Sequence, residues 1–535
     1  MMRRSKTMAL AALALAGILV GSVFGQTIGT IPEFGISAVE QEAYWYSRYN
    51  LGHLTMRAGM GEVFMPEMAD VEAMIAMADA DPYDGDTVTP PTNPALLRTV
   101  YAGGLSNWIV SADPADFATL RWDEASFDRR LTGAGLGWTI VKELEWAKQF
   151  HIDSHFGTPE ADFGAQWRFM GLVLTAMAVE QAEAWIELRA ANEMVMLDAS
   201  DPFVMLMALS NLSELLGAEA MPHSGTNRYR DVDRAASFRA VADEHFDRVV
   251  EIPMHRMSVK ELATAIQGLT WYAAVTQDAV RQASALDRIG QFAGGLLTIE
   301  KRTAAERGYA LRGLIEAHRV RSCIDCLQES LDLFEELSVD YDDEHGIFTS
   351  QLSYSIDDVA ALVGGLNAAR SYVDADRGVI EEMLVGFFEG TVNLSGLQRS
   401  VPPIASGKSP FEQNEPAIFY GYPGLPLPSE VGDFGAAPVF ASSVTFDSAA
   451  GAWSEADPFF DTAGAMHAAN EFIWLHADQV NGFPEVVELE PEPAAQVHGD
   501  LLPGGNPLGM ILFLAIAVGS VAALILSATG PGTCN

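Results

Sequence analysis

Lysine is scarce in this chain of 535 residues, where only Lys6, Lys142, Lys148, Lys260, Lys301 and Lys408 occur. Lysine and arginine together number 32 against 72 aspartates and glutamates, which leaves a formal charge of −40. A chain so short of positive charge has no broad electrostatic footprint for nucleic acid, so nucleic acid is excluded as a partner. Cysteine is rarer still, with Cys323, Cys326 and Cys534 alone. Three cysteines exclude a disulfide-dense secreted scaffold. Several catalytic signatures are also missing. No Ser/His/Asp pattern stands out, and Gly103-Gly104, Gly294-Gly295 and Gly364-Gly365 lack the flanking residues of a phosphate-binding loop.

The ends of the chain carry its longest apolar runs. Residues 1–25 have the three parts of a secretory signal peptide: Arg3, Arg4 and Lys6, an apolar run from Met8, and small residues up to Gly25. Cleavage before Gln26 is expected. Residues 508–528 hold the uncharged run MILFLAIAVGSVAALIL, about long enough to cross a bilayer as a helix. An acidic Pro/Gly stalk, 488–507, precedes it, and a short tail, 529–535, follows without Lys or Arg. Orientation therefore rests on the signal peptide, which puts the body outside the cytoplasm. The expected location is the cell surface or periplasmic face, with the protein anchored in the cytoplasmic membrane by its C-terminal helix.

Between these ends the pattern is helical. An N-terminal helical extension is expected over 26–93, an α/α helical body over 94–390, and a loop-rich segment ending in an amphipathic helix over 391–487. Within the body, apolar residues at helical spacing predict helices at 94–110, 132–155, 163–194, 201–217, 232–249, 258–292, 303–339, 356–373 and 376–390. No repeat of fixed period is visible, which argues against a regular solenoid.

Residues 331–370 show the recurring unit best. Leu331, Leu333, Phe334 and Leu337 share one helical stripe, and Asp332, Glu335, Glu336 and Asp340 mark the wet side. A loop, HGIFTSQLSY, leads to Ser355, a capping residue followed by Asp357 and Asp358 at the positive end of the next helix. Ala360, Ala361, Gly364, Gly365, Ala368 and Ala369 make that helix small-sided. Two glycines cost it roughly 1 kcal/mol each against alanine, a loss that close approach of another backbone or of a ligand would explain. The acidic-aromatic loop before a small-sided helix resembles the hairpins of α/α-toroid, six-hairpin-like proteins. The fold class that this implies is all-α: an α/α toroid, or an irregular stack of helical hairpins, with a loop-rich insertion and a C-terminal transmembrane helix.

Three groups of residues could carry chemistry. Asp342, Asp343 and Glu344 are paired carboxylates of the kind that act as general acid and base on a glycosidic bond, beside His345 and Tyr354 as ligand contacts. Tyr44, Trp45 and Tyr46 could pave a sugar or peptide groove, although dense aromatics also build cores. His151, Asp153 and His155 offer a metal set, since histidines at i and i+4 share a helix face, but the glutamate of HExxH is absent. His467 and Glu471, also at i and i+4, could add ligands. Cys323 and Cys326, in CIDC, read as a local disulfide or buried thiols, with a redox or metal role as the alternative. The expectation is an exported, membrane-tethered helical protein that binds or processes an extracellular ligand, most plausibly carbohydrate. A metal-binding (Zn or Cu) protein and a non-catalytic cell-surface scaffold are the alternatives, since an acid run in so acidic a chain is more often a solvated surface than a catalytic pair.

Overall fold

A computed structural model describes residues 35–51, 59–79, 87–88, 90–91, 94–105, 122–151, 164–191, 198–221, 225–373, 376–398, 440–475, 482–487 and 489. The expected signal peptide, transmembrane helix and tail lie outside these residues, as does the stalk apart from Leu489. The described chain is mostly helical. Its thirteen α-helices are α1 (Ile36–Leu51), α2 (Met68–Ala78), α3 (Gly133–His151), α4 (Gly164–Ala191), α5 (Asp201–Gly217), α6 (Val232–Val249), α7 (Val259–Val275), α8 (Ala279–Thr298), α9 (Ala304–Arg321), α10 (Ile324–Asp340), α11 (Ile356–Tyr372), α12 (Arg377–Phe387) and α13 (Thr462–Trp474).

From α3 onward the helices fall into two classes. Even-numbered helices other than α4 bury one stripe: in α8 it is Gln282, Ala285, Leu286, Ile289, Phe292, Ala293 and Leu296, at the spacing of a surface helix. Odd-numbered helices are buried nearly all round; in α11 burial runs from Val359 to Ala369 without a break. The reason lies in their neighbours. Helix α3 packs on α5, α5 on α7, α7 on α9, α9 on α11 and α11 on α13, and α13 also packs on α3. Each even helix from α4 to α12 covers the odd helix before it, and α1 covers α13. One helix among the described residues, Arg168–Ala191, is long and apolar enough to cross a membrane, and most of it is buried inside the protein.

The small residues of α11 have a direct cause. A Cβ on Gly365 would lie 2.5 Å from the Gly308 carbonyl oxygen, and one on Gly308 would lie 2.6 Å from that of Ala361. Backbones of α9 and α11 therefore touch, as the glycine cost suggested. The principal partner of α11 is thus α9 rather than α10, its neighbour in the chain.

The starts of α7, α9 and α11 repeat one device. Ser258 with Glu261, Thr303 with Glu306 and Ser355 with Asp358 each form a capping box, in which side chain and backbone satisfy each other's free amides. Short strands hold the starts of α11 and α13. The strand Ser353–Ser355 runs straight into α11 and lies beside the strand Ser443–Asp447, with Tyr354 opposite Val444. The strand Phe459–Asp461 runs into α13 and pairs with the strand Gly103–Leu105, with Phe460 opposite Gly104.

Sequence and structure differ at three stretches. Residues 94–105, expected to be helical, contain the strands Leu96–Leu97 and Gly103–Leu105 instead, and a Cβ on Gly103 would come within 2.5 Å of the Phe460 carbonyl oxygen. The expected helix 258–292 is broken between α7 and α8, where Asp278 caps α8 by accepting from the amides of Val280 and Arg281. The expected helix 303–339 is broken at Ser322, whose φ of 51° ends α9 in the left-handed region. Neither break contains Gly or Pro, and apolar spacing continues on both sides, so the pattern alone reads through them.

Candidate functional site

The buried starts of α7, α11 and α13 bring together groups that stand far apart in the chain. Asp357, in the first turn of α11, accepts from His467 Nδ1 of α13 at 2.8 Å and from the Tyr309 hydroxyl of α9 at 2.6 Å. Lys260 Nζ, in the first turn of α7, is 3.1 Å from Asp357 Oδ2 and 3.7 Å from Asp198 Oδ2. His467 Nε2 lies 3.7 Å from Glu471 Oε1, which is 3.5 Å from Arg312 Nε. A Cβ on Gly364 would lie 2.5 Å from the Glu471 carboxyl carbon, so this glycine makes room for the acid. The imidazole of His467 stacks against Trp138 and Tyr309, with ring centroids 4.5 and 5.9 Å away.

Burial and charge oppose each other here. Burial works against the Asp357 carboxylate, yet Lys260, His467 and Tyr309 outweigh it and hold this acid well below the usual carboxylate range. Burial likewise works against protonated His467, and Asp357 and Glu471 overcome it and raise its pKa. Asp461, the cap of α13, is pushed up by burial and by the charge of Asp357. Openness is graded: the Lys260 side chain is 41% exposed, that of Asp198 32%, that of Asp357 20% and that of His467 4%. The Lys260 ammonium and an edge of the Asp357 carboxylate thus reach solvent beside a buried imidazole and two aromatic rings. Paired donors and acceptors of this kind suit a polar ligand.

The acidic loop before α11 is built differently. Asp342 lies in the strand Tyr341–Asp342, which pairs with the strand Ile347–Phe348, and Asp342 Oδ2 meets His345 Nδ1 at 2.8 Å. Its Oδ1 accepts the Glu344 amide at 3.1 Å, so the acid closes its own turn; Asp343 stands in that turn between them. Tyr354 is fully buried and pegs the loop, its hydroxyl donating to the Phe348 carbonyl and accepting the Phe348 amide.

Tyr44, Trp45 and Tyr46 fall in α1. Tyr44 is buried against Trp146, and Tyr46 against Phe388 and Phe440. The Tyr46 hydroxyl donates to Asn393 Oδ1 at 2.6 Å, and Asn393 Nδ2 donates to Glu42 Oε2 and Glu389 Oε1, both at 2.7 Å. Glu389 and Asn393 sit on a π-helix, Phe388–Asn393. Burial first, and then the charge of Glu42, push Glu389 up to about 7. The acidic loop touches the same π-helix, since Thr391 Oγ1 donates to the Gly346 carbonyl at 3.2 Å. Two of the three groups singled out in the sequence therefore converge on this one turn. No protein-family model matches the chain, and comparison with curated proteins finds no match.

The third group is elsewhere. His151 is buried at the end of α3, where Nε2 accepts the Arg228 amide at 3.2 Å and the ring meets Tyr229 edge-on. Asp153 and His155 lie outside the described residues. Among the described residues no group of three or more His, Cys, Asp or Glu side chains is arranged to hold a metal ion. Asp357 and Lys260 were not singled out for chemistry in the sequence. Signals for them existed: Lys260 is one of six lysines and sits inside a capping box, and Asp357 directly precedes the acid of another.

Proposed function

We propose that the six helices α3, α5, α7, α9, α11 and α13 are the inner wall of an α/α toroid, and that the protein binds an extracytoplasmic ligand, carbohydrate being the class that fits best. The reading includes export through the residue 1–25 signal and tethering by residues 508–528. What supports the toroid is the order of neighbours, in which α13 packs on both α11 and α3. The observation that carries the ligand reading is the half-open Lys260–Asp357 pair over the buried His467, Tyr309 and Trp138.

An ionised carboxylate beside an ammonium suits the hydroxyls of a sugar, each of which both donates and accepts. Held ionised, Asp357 has no proton to donate to a leaving group, so the cluster favours holding a ligand over cleaving a glycosidic bond. The test is a glycan-array screen with the full chain in detergent, comparing wild type with Lys260→Met. Binding of a glycan class by wild type and at least tenfold weaker binding by K260M is the expected result. Absence of glycan binding by a folded wild-type protein sinks the carbohydrate reading.

A further inference from the structure

Cys323 and Cys326 are joined by a disulfide at the start of α10. We propose that this disulfide is a reactive thiol–disulfide exchange site, with Cys323 as the sulfur that is attacked and Cys326 as the sulfur that leaves. The inference is independent of the ligand reading above. The two sulfurs differ in access: Cys326 is fully buried, whereas Cys323 is partly exposed. Around Cys323 the chain presents Arg321, Ser322, Ile324 and Asp325 to solvent, with Ile324 69% exposed. An incoming thiolate can therefore reach one sulfur and not the other.

The helix supplies the second part of the argument. Cys323 is the N-cap of α10, and its Sγ accepts the Cys326 amide at 3.2 Å. The same amide, with the positive end of a seventeen-residue helix, would stabilise a Cys323 thiolate after reduction. Asp325 in the first turn opposes this, so helix dipole and amide rather than nearby cations carry the effect. His318 Nδ1, 2.9 Å from the Cys323 carbonyl oxygen, and the left-handed Ser322 hold the cap in position. As a staple the bond would do little, because the stabilisation from closing a loop grows with loop length and this loop is minimal.

The exchange balances with an external dithiol as reductant. One thiolate of the dithiol attacks Cys323 Sγ; the bond between the cysteine sulfurs breaks, and Cys326 leaves with the electron pair and takes up a proton. The second thiolate then attacks the dithiol sulfur of the mixed disulfide and releases Cys323. In total the dithiol is oxidised to its disulfide, and Cys323–Cys326 is reduced to two thiols.

The experiment uses the full chain, with the peptide that contains residues 323–326 quantified by mass spectrometry separately from Cys534. Dithiothreitol is expected to reduce the disulfide reversibly while the far-ultraviolet dichroism stays unchanged. With oxidised glutathione, Cys326→Ser is expected to form a mixed disulfide at Cys323 at least tenfold faster than Cys323→Ser forms one at Cys326. Alkylation of Cys323 in C326S at pH 6 is expected to be at least tenfold faster than that of free glutathione. Reduction only after unfolding, equal rates in the two variants, or glutathione-like alkylation of Cys323 would overturn the proposal. The wild-type titration keeps the test decisive should either variant fail to fold.

Discussion

Asp357–His467 and Asp342–His345 are two aspartate–histidine pairs with the same contact, Nδ1 to a carboxylate oxygen at 2.8 Å. Their surroundings differ. The first joins two helices 110 residues apart, and its histidine is 4% exposed, walled by Trp138 and Tyr309. The second lies within one turn, three residues apart, and its histidine is 22% exposed with one aromatic neighbour, Phe446. Equal distances do not mean equal energies, because the worth of a charge pair depends on how much solvent it has lost and on what else it touches. The buried pair also carries Lys260, Glu471 and Arg312 with it, whereas the loop pair ends at its own turn.

Removing the acid should separate the two pairs most. Asp357→Ala strips His467, Lys260 and Tyr309 of their common partner, and the expected loss is about 2–4 kcal/mol of unfolding free energy, less than for a fully dry pair because Lys260 is half open. Asp342→Ala should cost at most about 1 kcal/mol, mainly through the turn that it closes. Denaturant titration of the two variants beside wild type measures both. Equal losses would mean that burial is not what distinguishes the pairs.

The buried pair should also make stability depend on pH. His467 has a folded-state pKa raised above its ordinary 6.5, so its contribution is fully present below that value and is lost as pH rises through the higher folded one. Asp357 is depressed below its ordinary 3.8, so its contribution is present above that value and is lost as pH falls. Together they should give a stability maximum at about pH 4–6.5 from this cluster. His467→Gln should lose about 1–3 kcal/mol at pH 6 and less at pH 9, flattening the alkaline slope. Unfolding curves of wild type and His467→Gln at several pH values decide it.

The loop pair was legible in the sequence and the buried pair was not, for a physical reason. Asp342 and His345 are close along the chain, and a short acidic run is visible as such. So were the capping Ser355 and the small side of α11, since caps and periodicity are local. The meeting of Asp357, Lys260 and His467 depends on α7, α11 and α13 becoming neighbours, which no local window contains. His467 and Glu471 could be seen as an i, i+4 pair, but their partners Asp357 and Arg312 come from other helices. The breaks at Asp278 and Ser322 were hidden because capping there uses polar side chains and one left-handed residue, without Gly or Pro.

Glu389 sharpens the comparison as an acid that is buried beside another acid and away from a cation. Its pKa is pushed up from the ordinary 4.5 to about 7 by burial and then by Glu42, with Asn393 opposing. The folded state therefore binds this proton more tightly than the unfolded chain. Stability is unaffected below pH 4.5, falls as pH rises to about 7, and is level above. Glu389→Gln, which mimics the protonated acid, should gain about 1–2 kcal/mol at pH 8 and nothing at pH 4. A mutant less stable than wild type at pH 8 would mean that the carboxylate form is the one held by Asn393.

The smallest effect expected is at His345. Its ring keeps one hydrogen bond to Asp342 and one tilted contact with Phe446, and it is open enough for water to replace the first. His345→Ala should change unfolding free energy by no more than about 0.5 kcal/mol, the level of a surface pair. The Gly346 carbonyl beside it still accepts from Thr391, and Asp340 still pins the far side of the loop through the Thr349 hydroxyl and the Ser350 amide. The loop thus keeps its shape without the histidine. A loss above about 1.5 kcal/mol in denaturant titration would show that His345 supports the π-helix, and would move the Asp342–His345 pair from the solvated class into the structural one.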